Sequence, residues 1–327
     1  MSNKLRIGIV GCGWFGNFHL DYLLTRNDVE VTALASTNAE KLKNTAARVP
    51  QARCYQTPEA LIEAGDADAL LLCLPPHCHG NIEMLSAAKG LHLYVEKPLG
   101  TDLSAAQSAW KAIQQAGIVC SVGYQARYET GIAEMRDHLL SSPAAFIQAR
   151  WVGDEPGVHW WRDRSKSGGQ VVEQSTHLVD LMRYLAGEAT AVFATAQTAL
   201  PAPLEGSTVD GGTTALVWFK SGAIASLTTG CFNDPAKAKN EIGLLAYCRD
   251  GQVNFDWSDG VQFNAKQDAR QFQACGCIHA NALAAFVDAA KSGDASGVLS
   301  TYGDALETFK LTLAIEESLR TGRKVSL

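Results

Sequence analysis

Short apolar runs alternate with amphipathic stretches through residues 5–120, and this alternation limits what the chain can fold into more than any other feature. Leu5–Val10, Val29–Ala35, Ala69–Leu74, Leu91–Val95 and Ile118–Val122 are apolar enough along their length to be strands buried on both faces. Between them, Trp14–Thr25, Ala39–Arg48, Gly80–Lys89 and Leu103–Ala116 carry helical spacing. A helix between two strands implies that the strands are parallel, because the crossover must return over one face of the sheet. The first part of the chain is therefore expected to be a doubly wound parallel sheet of the Rossmann type.

The pattern changes further on. Ala189–Gln197, Thr213–Phe219, Ala223–Thr229, Ile242–Cys248, Gln252–Trp257 and Val261–Ala265 are successive strand candidates. Short turns such as Lys220-Ser221-Gly222 and Arg249-Asp250-Gly251 join several of them, as in antiparallel hairpins. Two amphipathic helices, near His279–Lys291 and Tyr302–Leu319, close the chain. The expected second domain is α/β with a large, mostly antiparallel sheet. No repeat or low-complexity segment interrupts it. The boundary falls near 120–125, with one closing helix able to pack back on the first domain.

Composition narrows the function classes. Twenty-eight Lys and Arg against 34 Asp and Glu give a net charge of −6. That balance offers no electrostatic footprint for nucleic acid or an anionic membrane surface. No apolar run reaches the roughly 18 residues of a membrane span. Lys4 and Arg6 precede a run too short for an export signal. The nine cysteines include no C-x-x-C pair, Cys275-Gly276-Cys277 is too tight for a zinc knuckle, and His77-Cys78-His79 has no distant partner pair. The expectations are reduced thiols, no metal and a cytoplasmic protein.

Gly11-Cys12-Gly13-Trp14-Phe15-Gly16 lies where the first strand turns into the first helix. Gly11 permits the turn, Gly13 lets the backbone approach a pyrophosphate, and Gly16 lets helix and strand pack closely. The helix N-terminus, at Trp14 and Phe15, then offers free N–H groups to phosphate. Residues 1–122 are thus read as a dinucleotide-binding domain and 123–327 as a second domain. An acidic residue at the end of the second strand would accept from both ribose hydroxyls. The sequence has Ser36-Thr37-Asn38 there, which can donate to a 2′-phosphate, with Lys41 or Lys43 to neutralise it. The cofactor is therefore read as NADP or NAD, with NADP favoured; a helix cap at Thr37 or Asn38 is the plainer use of these residues.

Glu96-Lys97-Pro98 follows the Leu91–Val95 strand, at the carboxyl edge where open α/β sheets bind ligands. In this setting the chain resembles the Gfo/Idh/MocA oxidoreductase family (glucose–fructose oxidoreductase, inositol dehydrogenase and relatives). Four further segments carry the resemblance in order. They are Pro75-Pro76-His77-Cys78-His79, Gly123-Tyr124-Gln125-Ala126-Arg127-Tyr128, Ser167-Gly168-Gly169-Gln170 with His177 and Asp180, and the ending from Ala314 through Val325.

The resemblance implies an NAD(P)-dependent enzyme that moves a hydride between nicotinamide and a secondary hydroxyl, or its ketone, on a sugar, polyol or glycoside. It gives residues 123–327 substrate binding and oligomerisation, His177 the general acid/base role and Lys97 the stabilisation of the alkoxide. Glu173 stands where the family often has Asp, and takes substrate binding or tuning of His177. A helix over Glu173–Tyr184 would make Glu173 and His177 i,i+4 neighbours, with Asp180 either orienting His177 or forming a surface ion pair. Trp160, Trp161, Arg162 and Tyr124 are read as substrate-facing, since aromatic faces suit sugar C–H groups; core packing is the other use of such residues. Arg127 faces the same cleft or forms a structural ion pair. Pro75, His79 and Glu96 are read as lining the cofactor site, with helix capping as the alternative for His79. Two other activities fit the family: a glycosidase using NAD for transient oxidation, and a non-catalytic nucleotide or sugar sensor. A homodimer or homotetramer is expected, from apolar positions such as Leu216, Trp218 and Leu244 on the later strands.

Overall fold

The computed structural model describes residues 4–200, 205–234, 236–266 and 269–327. The chain forms two compact units, Met1–Tyr124 with His279–Leu306, and Gln125–Ile278 with Glu307–Leu327. A single cut between 122 and 123 does not describe this division, because residues 279–306 return to the first unit. Packing explains the return. Phe286 is fully buried and lies edge-on to Tyr94, and Thr301 forms an antiparallel bridge with Ser121.

The first unit runs β1 (Leu5–Val10), α1 (Trp14–Leu23), β2 (Val29–Ala35), α2 (Ala39–Ala46), β3 (Arg53–Tyr55), α3 (Pro58–Ala64), β4 (Ala69–Leu72), α4 (Asn81–Ala88), β5 (His92–Val95), α5 (Leu103–Ala116) and β6 (Cys120–Val122). Its six strands are parallel in the order β3-β2-β1-β4-β5-β6. The strand order reverses between β1 and β4, the crevice where such sheets bind dinucleotides. Ile7, Ile9, Leu70, Leu71 and Leu93 are wholly buried, each contributing roughly 1.5–3 kcal/mol of apolar burial. β3 was not expected. It is three residues long at the sheet edge and mostly exposed, so it carries no buried run to reveal it.

The second unit continues with α6 (Ile132–Ser141), β7 (Phe146–Val152), α7 (Arg164–Ser167), α8 (Gln170–Glu173), α9 (Thr176–Ala186), β8 (Ala189–Ala196), β9 (Gly212–Phe219), β10 (Ile224–Gly230), β11 (Glu241–Tyr247), β12 (Gly251–Asp256), β13 (Gly260–Ala265) and β14 (Gln271–Phe272). Then follow α10 (Ile278–Ser292), most of which lies in the first unit, α11 (Tyr302–Thr321) and β15 (Val325–Ser326). The nine-stranded order is β14-β13-β12-β11-β7-β10-β9-β8-β15. Only the β7–β10 pair is parallel, so the sheet is mostly antiparallel, as expected.

β7 is the strand that the sequence pattern did not reveal, although it holds the centre of this sheet. Of its seven residues only Ile147 and Ala149 are buried, so no continuous apolar run marks it. One face of the sheet packs on Met135 of α6, Leu178 and Met182 of α9, and Leu311 and Ile315 of α11. Leu244 belongs to that face and is fully buried, which corrects the expectation that it was exposed. Its register partners Ala149 and Phe255 are core residues too, and strand alternation fixes the side they share. Among the described residues, no helix is long and apolar enough to cross a membrane.

Candidate active site

In the first unit, the turn after β1 has the geometry of a phosphate cradle. Gly11 has φ +100°, and a Cβ there would lie 2.2 Å from the Cys73 carbonyl oxygen. A Cβ on Gly16 would lie 2.0 Å from the Gly11 carbonyl oxygen, whereas a Cβ on Gly13 would meet nothing within 4 Å. Two glycines are thus required by close backbone packing, and the third fronts open space. Gly13 caps α1, whose first turn carries no acidic residue to offset the positive end of the helix dipole. This arrangement fits a dinucleotide pyrophosphate. Trp14 is 71% exposed and stacks on Phe18 at 5.3 Å, and Phe15 is half-buried beside them.

At the end of β2, Ser36 donates its backbone N–H to Tyr55 and accepts the Asn38 N–H at 3.3 Å. Asn38 caps α2 by accepting the Lys41 N–H at 2.9 Å, and Thr37 is exposed. The first carboxylate after β2 is that of Glu40, in the opening turn of α2. Lys41 lines one hollow with Gly13, Trp14 and Asn17.

Pro75 leads a short 3₁₀ turn, and His79 follows it with a fully buried ring. That ring does not line an open pocket. Its Nδ1 is 2.6 Å from Glu83 Oε1 and its Nε2 is 3.2 Å from the Leu74 carbonyl. Glu83 also accepts the Gly80 N–H at 3.0 Å, so His79 and Glu83 together cap the start of α4. Burial disfavours the charged ring, but the Glu83 carboxylate outweighs it and holds the His79 pKa above its ordinary value. An imidazolium donating from both nitrogens matches two such acceptors.

Glu96 and Lys97, after β5, are both buried. The Glu96 carboxylate points inward: Oε1 lies 2.6 Å from His19 Nε2 on α1. Burial raises its pKa, but the His19 hydrogen bond and the charges of His19, Lys97 and His279 prevail and hold it below the usual carboxylate range. The Glu96 carboxylate is thus engaged by His19 within the first unit. Tyr124, read from the sequence as substrate-facing, is fully buried at the end of this unit.

In the second unit the expected helix over Glu173–Tyr184 is broken. The Ser175 N–H reaches back five residues to Gln170 and the Leu178 N–H three to Ser175, so α8 ends before α9 begins. Glu173 and His177 are therefore not one helical turn apart. The Glu173 carboxylate instead accepts the Trp161 indole N–H at 2.8 Å. Trp161 is fully buried against Val209 and Cys231, which corrects its reading as an open sugar platform. Trp160 is partly buried beside it, and Arg162 Nε is 3.3 Å from Glu155.

His177, 5% exposed in the first turn of α9, is held by two indoles. Trp151 stacks on it at 5.7 Å and 14°, and Trp257 meets it edge-on at 5.6 Å. Trp257 was not foreseen as a neighbour of His177, because a tryptophan ending a strand carries no pattern of its own. Asp180 grips Arg127 through two bonds of 2.7 and 2.6 Å and accepts the Thr308 hydroxyl at 2.8 Å. For Arg127, then, the structure displays the ion pair. Gly168 and Gly169 have positive φ, and a Cβ on Gly169 would lie 3.0 Å from Glu316 Oε1. Arg164 bonds both Glu316 and Asp210. Burial, aided by Asp210, pushes the Glu316 carboxyl up to about 7 against the pull of Arg164.

One other cluster could offer metal-ligand atoms among the described residues. His138, Cys248 and Asp250 bring them within 4.8 Å of one another. Asp250 there accepts the Ser142 hydroxyl at 2.5 Å and lies 3.7 Å from His138 Nε2.

Comparison with known proteins agrees with these local features. A family model described as an oxidoreductase family with an NAD-binding Rossmann fold, GFO/IDH/MocA, matches residues 5–124. The GFO/IDH/MocA C-terminal domain matches residues 144–254. The chain is 27% identical over 209 residues to the rhizopine catabolism protein MocA of Rhizobium meliloti, covering 62% of this chain and 64% of that protein. It is 24% identical over 188 residues to myo-inositol 2-dehydrogenase of Thermotoga maritima, covering 56% and 55%. The matches thus span less than two thirds of these curated relatives. Among solved structures, the WlbA dehydrogenase of Chromobacterium violaceum, in complex with NADH and UDP-GlcNAcA, is similar with TM-score 0.87. It is 20% identical, with 99% and 96% of the two chains covered, a likeness of fold.

Proposed function

The chain belongs to the GFO/IDH/MocA oxidoreductase family, and on that premise we propose that it transfers a hydride between NAD(P) and a secondary hydroxyl, or its ketone, of a sugar, polyol or glycoside. The observation that carries this reading is the turn at Gly11–Gly16, in which two glycines are forced by packing while Gly13 fronts open space at a helix N-terminus. The names of relatives, myo-inositol 2-dehydrogenase among them, supply the substrate class.

When bound, the nicotinamide supplies the two-electron acceptor or donor. Lys97 donates a hydrogen bond to the substrate oxygen and stabilises negative charge as it develops. His177 takes the hydroxyl proton in oxidation and returns it in reduction. Packing of its ring against both Trp151 and Trp257 restricts rotation, so the proton is received in a fixed orientation. Glu173 steadies Trp161, and Trp160 and Arg162 are assigned to substrate contact. The decisive assay incubates the protein with either nicotinamide cofactor and a panel of sugars, inositols and glycosides while following absorbance of the reduced nicotinamide. Turnover of at least one secondary alcohol or ketone is expected; silence across the panel would overturn the reading.

NADP(H) is proposed as the tighter-bound cofactor. Ser36, Thr37 and Asn38 present no carboxylate to repel a 2′-phosphate, and Lys41 lines the hollow beside the glycine turn. Calorimetric titration should give a lower Kd for NADPH than for NADH. The reverse order would mean that Glu40 or neutral groups serve the ribose.

We also propose a homodimer or homotetramer. On the sheet face opposite the helices, Phe146 is 57% exposed, Phe193 38% and Leu216 39%. Register aligns Tyr247, Phe146, Ile224 and Trp218 across four adjacent strands, extending the apolar surface. Light scattering at micromolar concentration should report a multiple of the chain mass, and a monomer would contradict the proposal. The nine cysteines, among which no C-x-x-C pair occurs, accord with the cytoplasm, where we place the protein.

A further inference from the structure

We propose that His19 is a positioning residue for Lys97, acting through the buried carboxylate of Glu96. This inference rests on the reading that Lys97 works on the substrate hydroxyl. His19 lies three residues beyond Gly16 on α1, so the helix that opens at the phosphate cradle also reaches the strand end that carries Lys97. The link is one hydrogen bond of 2.6 Å between side chains that are 0% and 7% exposed. An ionised carboxylate only accepts, so His19 donates from Nε2.

Glu96 has little freedom to turn away. A Cβ on Gly123 would lie 2.8 Å from Glu96 Oε2, so only a glycine after β6 leaves room for this carboxylate. The Glu96 N–H is bonded to Leu72 O and the Gly123 N–H to Val95 O, each at 2.9 Å, which fixes the backbone on both sides. His19 is seated edge-on to Tyr94 at 5.3 Å, with His279 of α10 at 6.4 Å. The backbone that enters Lys97 is thus held by α1, β4 and β6 together, and His19 is the member that reaches Glu96 through its side chain.

The titratable groups facing Glu96 come from every element around it. His19 on α1 lowers its pKa through the hydrogen bond, and Lys97 and His279 lower it by charge. Cys73, after β4, has its thiol pushed well up by burial and by the Glu96 charge. The Glu96 charge raises that of His79 in turn. Burial keeps the His279 pKa low against the pull of Glu96. Removing His19 deletes the largest effect opposing burial, so Glu96 would take up a proton at higher pH. The ionised carboxylate is kept above its pKa and lost below it, so in the variant the Glu96 titration itself moves upward.

The test compares His19→Leu, which removes the donor, with His19→Gln, whose amide nitrogen reaches as far as Nε2. Both are measured for thermal stability, NADPH affinity, kcat against pH, and the ¹³C titration of the Glu96 carboxyl in the cofactor-free protein. His19→Leu should lower kcat about tenfold or more, as misplacement of a reacting group does, and raise the Glu96 midpoint by about one pH unit. NADPH affinity should change by less than about threefold, because the phosphate contacts at the glycine turn remain. His19→Gln should recover most of the lost kcat. If His19→Leu does not fold, Glu96→Gln replaces it: this variant should also lower kcat about tenfold or more, and unchanged kcat in the folded Glu96→Gln protein would overturn the inference. A folded His19→Leu with unchanged kcat and unmoved titration would overturn the inference, as would failure of His19→Gln to recover kcat. Lys97→Met separates the two claims. If Lys97→Met keeps normal turnover, the reading of Lys97 fails. If it loses turnover while His19→Leu does not, only the role of His19 fails.

Discussion

Gly13→Val is expected to abolish dinucleotide binding while the protein stays folded. Gly13 has φ −81°, ordinary for any L-residue, and no atom lies within 4 Å of a Cβ built on it. The valine therefore costs the fold little, within the roughly 0.5 kcal/mol usual for uncrowded surface positions. It fills the approach to the α1 N-terminus, however, and separates phosphate from the N–H groups there. Losing two charge-assisted hydrogen bonds of about 1.5–3 kcal/mol each would weaken binding more than about 100-fold. Gly11→Ala and Gly16→Ala serve as contrasts, since their methyl groups would meet backbone oxygens at 2.2 and 2.0 Å and the fold itself should suffer. Calorimetry and thermal melting read both effects. Unchanged cofactor affinity in a folded Gly13→Val protein would remove the glycine turn from the cofactor site.

Local rules made the first unit legible. The runs at Leu5–Val10 and Ala69–Leu72 are buried on both faces, so continuous hydrophobicity revealed them, and the glycine spacing marked the turn between β1 and α1. What escaped depended on contacts distant in sequence. Glu96 looked like a residue facing the cofactor until His19, 77 positions away, took its carboxylate. Trp161 looked like a sugar platform until burial beside Val209 and Cys231 enclosed it. Glu173 and His177 stand four apart, and nothing in that spacing foretells the break at Gln174–Ser175. Leu244 was misplaced by strand parity: a shift of one residue reverses the face, and only the register against Ala149 and Phe255 settles it.

The second large effect concerns the two groups assigned to the reacting hydroxyl. Lys97→Met should lower turnover by removing the donor that stabilises the alkoxide, and His177→Ala by removing the proton acceptor. Each loss should be about 100-fold or more. Because both act on one transition state, the double variant should lose much less than the product of the single losses. His177→Ala also removes the ring that packs on both Trp151 and Trp257, so its melting temperature is compared before its kinetics are interpreted. Cofactor affinity should be nearly unchanged in that variant, whose lost ring is assigned to the substrate. Near-normal turnover in both single variants would contradict the roles of Lys97 and His177.

Hydride transfer is the central claim, and isotopic labelling at the carbinol carbon tests it most directly. A substrate found in the panel is prepared with deuterium on the carbon that bears the reacting hydroxyl, and the reduced nicotinamide is isolated and analysed by mass spectrometry and NMR. The deuterium is expected on the nicotinamide ring, with a slower single-turnover rate for the labelled compound. Reduced nicotinamide free of deuterium, or label released to water, would contradict hydride transfer.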